Sequence, residues 1–124
     1  MRDYTKIDAW RLADDLTVMV YESTKAFPRE ELHGLASQIR RAASSVPANI
    51  VEGSARETQR DYLRFLRIAR GSLAEAQYFV HLAARLSFLT EEISSQLHQQ
   101  TKQVFACLHG LILAVEREAN RAEE

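Results

Sequence analysis

The segment from Leu35 to Gly53 reads LASQIRRAASSVPANIVEG, and its residue types alternate with the three- and four-residue spacing of an amphipathic helix. One apolar strip consists of Leu35, Ile39, Ala42, Val46 and Ile50. A polar strip, displaced by roughly a quarter of the circumference, consists of Gln38, Arg41, Ser45, Asn49, Glu52 and Arg56. We expect the polar strip to border a core and to be half buried, where charged and amide groups need partners on a neighbouring helix or subunit.

The composition of the 124 residues is typical of an all-α protein, with four Gly, two Pro and abundant Ala, Leu, Arg, Glu and Gln. Periodic apolar positions predict four helices, at about residues 8–26, 33–53, 56–86 and 90–119. The connections between them are short, so consecutive helices are expected to be antiparallel neighbours. The sequence therefore predicts a single domain, residues 1–124, folded as an up-down-up-down antiparallel four-helix bundle.

Local signals indicate where the helices begin and end. The pair Phe27-Pro28 ends the first helix, since proline disfavours helical backbone in the residue before it. Pro47 lies inside the second helix and is expected to kink it, because it removes one backbone donor. Gly53 is expected to cap that helix, and residues 54–57 resemble a capping box for the third. Thr90 is expected to cap the start of the fourth.

The formal net charge is only −1, yet residues 40–70 hold seven arginines against three acidic residues. Four arginines are predicted to lie within about 80° of the third helix, opposite its core face: Arg56, Arg60, Arg64 and Arg67. Their planar guanidinium groups suit phosphate oxygens, and along about 17 Å of helix they would follow a nucleic-acid backbone. A solvated face with local ion pairs, such as Arg64 with Asp61, explains the same pattern, so both interpretations stay open.

The first helix carries an apolar arc that covers more than half of its circumference. A single core rarely uses so wide an arc. Four residues at its edges are therefore candidates for a contact with a partner protein: Trp10, Leu12, Met19 and Tyr21.

Catalytic and metal-binding patterns are weak in this sequence. A di-iron bundle needs two inward Glu-x-x-His motifs, and the chain offers only Glu30 with His33. His81, His98 and His109 lack ligand-like spacing with one another along the chain, so that only an arrangement across helices is left open. The sequence therefore predicts a protein that is not an enzyme and that has no cofactor and no metal.

Targeting and membrane signals are also lacking. Cys107 is the single cysteine, no basic-then-apolar leader opens the sequence, and no apolar run approaches the ~20 residues that span a bilayer. We expect a soluble protein of the reducing cytoplasm, without membrane contact.

Three segments carry a resemblance to a known family: residues 34–43 (GLASQIRRAA), 49–53 (NIVEG) and 68–75 (IARGSLAE). Over about residues 5–90 the chain is similar to the 23S rRNA intervening-sequence protein family, bacterial four-helix bundle proteins encoded within insertions in ribosomal RNA genes or standing alone. The resemblance implies a homopentameric ring of bundles. The family's kinship with the accessory variability determinant of diversity-generating retroelements implies nucleic-acid binding.

The family motif falls on eight positions of this chain: Gln38, Arg41, Asn49, Glu52, Gly53, Gly71, Ser72 and Glu75. The polar ones among them are expected to form a network, either across subunits or within one. Two functions follow as alternatives. The first is a homo-oligomer that binds RNA or DNA without sequence preference, and the second is a self-assembling scaffold that recruits another protein through the first helix.

Overall fold

The computed structural model describes the backbone of residues 2–123 and the side chains of residues 2–122. The described residues form four α-helices and two short 3₁₀ turns, without a strand. The helices are α1 (Asp8–Thr24), α2 (Leu35–Ser54), α3 (Gln59–Arg85) and α4 (Glu91–Glu123), and the 3₁₀ turns are Tyr4–Lys6 and Arg29–Glu31. The predicted all-α fold is confirmed.

Each helix packs against two others, α1 on α2 and α4, and α3 on α2 and α4. Contacts between α1 and α2 show the antiparallel direction, because the later residue of α1, Thr24, meets the earlier residue of α2, Arg40, at 2.8 Å between side-chain atoms. At the other end of the bundle, the first residue of α3, Gln59, bonds Glu118 near the end of α4. These contacts establish the up-down-up-down arrangement.

One continuous apolar core fills the space between the four helices. The predicted apolar strip of α2 is buried along its whole length, which confirms that interpretation. Small residues face the helix contacts, so that the axes approach closely: Ala42, Ala43, Ala69, Ala76 and Ala83, all of them buried.

The turn between α2 and α3 differs from the prediction. Gly53 is not a cap, since α2 continues to Ser54 and no described glycine has a positive φ. Ser54 caps no helix either, because its hydroxyl donates to the carbonyl of Val51 at 2.6 Å. The cap of α3 is Thr58, whose Oγ1 accepts from the amide of Asp61 at 3.1 Å. The predicted start of α3 at residue 56 lies three residues before the observed one, because four residues, 55–58, cross between the helices.

Gly53 has a packing role instead. A Cβ atom at this position would lie 2.8 Å from the Cβ of Phe65 and 3.0 Å from Cδ1 of Tyr62. The missing side chain therefore allows the end of α2 to contact the start of α3 directly.

Pro47 lies buried inside α2, and the helix continues through it. Its ring nitrogen has no proton, so the carbonyl of Ala43 lacks the usual helical donor. The hydroxyl of Thr17 on α1 lies 3.2 Å from that carbonyl and 2.9 Å from the carbonyl of Ala13. The single hydroxyl proton of Thr17 is shared between these two carbonyls, so α1 supplies part of the donor capacity that proline removes from α2. The kink of the axis stays a prediction.

The remaining ends follow familiar capping chemistry. After α3, the amides of Ser87 and Phe88 donate to the carbonyls of Ala84 and Ala83, which is the Schellman pattern. Ser87 occupies the left-handed position with φ of 63°, where glycine is usual. Thr90 caps α4 as predicted, accepting from the amide of Ile93 at 3.2 Å. α1 ends two residues earlier than predicted, and α4 runs on to Glu123.

The N-terminal segment is fastened to the α2–α3 turn by Arg2. Its guanidinium donates to the carbonyls of Ser54 and Arg56, at 3.3 and 2.8 Å, and to Oε1 of Gln59 at 2.7 Å. The same group lies 4.2 Å from the centre of the Tyr62 ring. None of the helices in the described part of the chain has the length and apolarity needed to cross a bilayer.

Candidate nucleic-acid interface and polar seam

The middle of the predicted polar strip forms a compact hydrogen-bonded cluster between α2 and α3. The hydroxyl oxygens of Ser45 and Ser72 lie 2.9 Å apart. Nδ2 of Asn49 donates to the carbonyl and to the hydroxyl oxygen of Ser45, at 2.7 and 2.9 Å. All three side chains are half buried. This part of the network lies within one subunit.

The rest of the strip is more exposed than predicted. Glu52 pairs with Arg56 at 3.0 Å, with 55% of its side chain exposed. Gln38, Arg41 and Glu75 are also exposed, and within the described part of the chain their side chains make no hydrogen bond or ion pair. The expected half-burial of the whole strip was wrong, because α3 covers only the positions that face it. Arg41 and Glu75 nevertheless lie one helical turn from the Ser45–Ser72 contact, and because α2 and α3 are antiparallel both lie towards the same end of the bundle.

Arg56 does not belong to the row of arginines on α3, which corrects the sequence prediction. It precedes α3, which begins at Gln59. Its guanidinium bonds Glu52 at 3.0 Å, approaches Asp61 at 3.6 Å and lies 4.5 Å from the centre of the Phe65 ring. Arg56 is therefore held at the turn by two carboxylates and one aromatic ring.

The other three arginines lie on the solvent side of α3, as predicted. Arg64 pairs with Asp61 and Arg67 with Glu116, both at 3.1 Å. Arg60 and Arg67 line a shallow polar pocket with Glu116. Even when paired, the side chains of Arg64 and Arg67 are 58% and 50% exposed. Local ion pairs and a solvent-facing arginine row are thus present together.

Most of the wide apolar arc of α1 is used inside the bundle. Trp10, Leu12 and Met19 are half buried and pack against the core, and Trp10 also meets Tyr4 with ring centres 5.0 Å apart. Only Tyr21 among the four predicted interface residues is largely exposed, at 44%. The arc is wide because α1 contacts α2, α4 and the Tyr4–Lys6 turn at once. Val18 is a further exposed apolar residue of α1 that was not among the predicted interface residues.

A cluster of histidines and lysine between α3 and α4 was also missed. Partial burial lowers the pKa of His98, and the charges of His81 and Lys102 lower it further. The ring of His81 lies 6.3 Å from that of Tyr78. Spacing along the chain left an approach across helices open but did not identify its members, because the antiparallel register brings His81 and His98 together from two helices.

The side chains with catalytic or metal-binding chemistry are dispersed or engaged in other contacts. No group of three or more His, Cys, Asp or Glu side chains among the described residues is placed to hold a metal ion. The hydroxyls of Ser45 and Ser72 bond each other, and that of Ser45 also accepts from Asn49, so no histidine takes part in that contact. Cys107 is half buried against the core.

Comparisons with known proteins agree with this architecture. The sequence model of a family described as 23S rRNA-intervening sequence protein matches residues 5–110. The fold is similar to the crystal structure of a protein of unknown function from the S23 ribosomal protein family of Bacteroides thetaiotaomicron VPI-5482, with a TM-score of 0.78 and 22% sequence identity. That similarity covers 84% of this chain and 94% of the other, and it concerns the fold alone. No curated protein gives a significant match.

Proposed function

The chain belongs to the 23S rRNA-intervening sequence protein family, and from this premise we propose that it is a non-catalytic, self-assembling bundle that binds RNA or DNA through its phosphates. The arginine row of α3, Arg60, Arg64 and Arg67, would make the phosphate contacts. The observation that carries the proposal is the exposure of these side chains on the face of α3 that is turned away from the core.

The ion pairs of the row leave donors available for phosphate. A guanidinium has five N–H donors, and the carboxylates of Asp61 and Glu116 each take only part of this capacity. The ring of Phe65, 4.3 Å from the guanidinium of Arg64, orients that group from its face and uses no donor. The row is therefore partly preorganised, which reduces the entropy lost when a phosphate binds.

Binding of this kind is expected to be tolerant of sequence and sensitive to salt. Tyr62 and Phe65 are buried and offer no ring on which a base could stack. Neutralising three phosphates of a single strand gives a slope of about −2 for the logarithm of the affinity against the logarithm of the salt concentration. A ring of identical subunits would repeat the contact and raise the affinity by multivalency.

Charge reversal of the row tests the nucleic-acid contact. The double variant Arg60→Glu/Arg64→Glu is expected to retain much less RNA than the wild type in a filter assay at low salt. A matched control, Arg11→Glu/Arg29→Glu, changes the net charge equally on exposed positions near the other side of the molecule and should retain RNA. Equal retention by the two variants would refute the role of the row.

Self-assembly into a homo-oligomer, with a pentamer as the expected state, is supported by polar residues that lack partners among the described residues. Arg41 and Glu75 are exposed and lie close to the Ser45–Ser72 contact between α2 and α3, so a second subunit is able to pair with either. Light scattering tests this: Arg41→Glu should reduce the mass, and Arg41→Glu/Glu75→Arg should restore it. Glu52→Ala is the control, since Glu52 already pairs with Arg56 inside the subunit. An unchanged oligomer mass in Arg41→Glu would show that the α2–α3 surface around Arg41 takes no part in the assembly.

The alternative function, a scaffold that recruits a protein, is favoured by the exposed Val18 and Tyr21 side chains of α1. A purification with and without nuclease separates the two functions. The nucleic-acid function predicts co-purifying material with high ultraviolet absorbance that nuclease removes, and the scaffold function predicts none.

A further inference from the structure

The antiparallel register of α3 and α4 aligns one face of each helix over a long distance. The side chains of Arg67 and Glu116 meet at 3.1 Å and define the register. Steps of seven residues, about two helical turns, keep the same face, so that His81 on α3 comes opposite Lys102 on α4. The electrostatic influence of His81 and Lys102 on His98 agrees with this alignment.

Positive and titratable groups dominate this α3–α4 face. They are Arg67, Arg70, His81 and Arg85 from α3, and His98, Lys102 and His109 from α4. All of them are exposed except His98, which is half buried.

Acidic residues stand only at the margins of this face. Glu116, at one end, is engaged by Arg67, and Glu91 lies seven residues before His98 at the other end. Glu75 belongs to the opposite edge of α3, towards α2. The described part of the face therefore has an interior of cations and histidines without a carboxylate between them.

We propose that the α3–α4 face binds the phosphate backbone of a nucleic acid and holds it more tightly when His81 and His98 are protonated. The inference rests on the proposed function and extends its contact surface from Arg67, which belongs to both the row and this face, along α3 and α4, where binding depends on pH. From Arg67 to His81 the face measures about 21 Å, which is long enough for several successive phosphates of one strand.

The aromatic ring beside the cluster favours a nucleic acid over a simple phosphate ligand. Tyr78 is 56% exposed and lies next to His81, with ring centres 6.3 Å apart. A solvent-facing tyrosine beside a cationic groove is a usual platform for an unpaired base. Single-stranded RNA is accordingly the ligand that fits both the charge and the ring.

The direction of the pH effect follows from the like charges. In the free protein, partial burial and the nearby His81 and Lys102 charges lower the pKa of His98. A row of phosphates supplies the opposite charge, which favours the protonated histidine and raises its pKa in the complex. Binding thus takes up protons, and affinity increases as the pH falls through the histidine range. Each histidine contributes at most about tenfold per pH unit.

The test measures the affinity for a rhodamine-labelled oligouridine by fluorescence anisotropy at constant ionic strength, at about pH 7.5 and about pH 5.5. The wild-type chain is expected to bind at least about tenfold more tightly at the lower pH. In His81→Gln/His98→Gln the ratio of the two affinities should fall to about one to threefold, while the affinity at the higher pH stays unchanged. His33→Gln, on the exposed α1–α2 connection, is the matched control and should keep the wild-type ratio.

Two further results separate this inference from the proposed function. Arg60→Glu/Arg64→Glu should bind more weakly at both pH values but keep the wild-type ratio, since the α3–α4 face is intact. If the ratio of the affinities at the two pH values is equal in the wild type and in His81→Gln/His98→Gln, the inference is overturned. The proposed binding by the arginine row is not affected by that result. Absence of binding by the wild type at both pH values overturns both.

Discussion

Replacement of Gly53 by alanine is expected to destabilise the bundle, although alanine is the better helix former. The added Cβ would lie 2.8 Å from the Cβ of Phe65, 3.0 Å from Cδ1 of Tyr62 and 3.3 Å from the carbonyl oxygen of Tyr62. Two of these three atoms are fixed to the backbone of α3 and cannot turn away. The methyl group is therefore accommodated only if the ends of α2 and α3 move apart.

The magnitude follows from two opposing terms. Alanine in place of a helical glycine gains about 1 kcal/mol of helix propensity. Forcing one extra carbon into a packed contact costs about 1–3 kcal/mol, and the immovable neighbours here favour the upper part of that range. The net loss expected for Gly53→Ala is therefore about 1–2 kcal/mol of unfolding free energy.

Gly71 and Gly110 provide matched controls within the same molecule. Both lie inside helices, and a Cβ at either position would meet no atom within 4 Å. Gly71→Ala and Gly110→Ala should each stabilise the fold by about 1 kcal/mol. Urea unfolding followed by far-ultraviolet circular dichroism, at one protein concentration, measures all three variants. If Gly53→Ala is as stable as Gly71→Ala, the close contact between α2 and α3 does not require a glycine at position 53.

Three further substitutions test local contacts by the same unfolding measurement. Thr17→Val should lower the free energy of unfolding by about 1–2 kcal/mol, because the Ala43 carbonyl loses the hydroxyl that donates to it. In a Pro47→Ala background the loss should be much smaller, since the backbone amide of residue 47 then donates to that carbonyl. Equal losses in both backgrounds would contradict the pairing of Thr17 with Ala43. Ser87→Gly should gain about 1 kcal/mol by relieving the left-handed backbone, whereas Ser87→Ala should gain nothing. Arg2→Ala should cost about 1.5–3 kcal/mol and speed amide exchange at the α2–α3 turn, and Arg2→Lys should recover only part of the loss because it lacks the planar fork. Unaltered amide exchange in Arg2→Ala would show that the α2–α3 turn is stable without the hydrogen bonds of Arg2.

The arrangement of the helices was predictable because it depends on periodicity. The apolar strip of α2, from Leu35 to Ile50, repeats often enough to define both the helix and its buried face. Turn chemistry was less predictable. Ser54 and Thr58 both stand three residues before an acidic residue, which is the spacing of a capping box. Thr58 is the residue that caps α3, because the chain needs the residues before it to cross from α2 to α3.

The candidate surfaces were predictable where they lie on one helix and unpredictable where they combine two. The row of Arg60, Arg64 and Arg67 follows from the spacing along α3 alone. Their acidic partners, in contrast, come from both α3 and α4, as Glu116 shows. The approach of His81 to His98 depends on the register of two antiparallel helices, and no spacing along the chain encodes that register.

One helix, α3, contributes to every surface to which a role has been assigned except the first-helix arc. Ser72 bonds α2, Arg64 faces solvent, and Arg67 pairs with α4. Because successive residues are rotated by about 100° on a rigid helix, these surfaces keep fixed positions relative to one another. A change that loosens the α2 side, as in Gly53→Ala, should therefore lower stability without altering the α3–α4 face. Below its melting temperature that variant should bind oligouridine with the wild-type dependence on pH, and a changed ratio would show that the two sides of α3 are coupled.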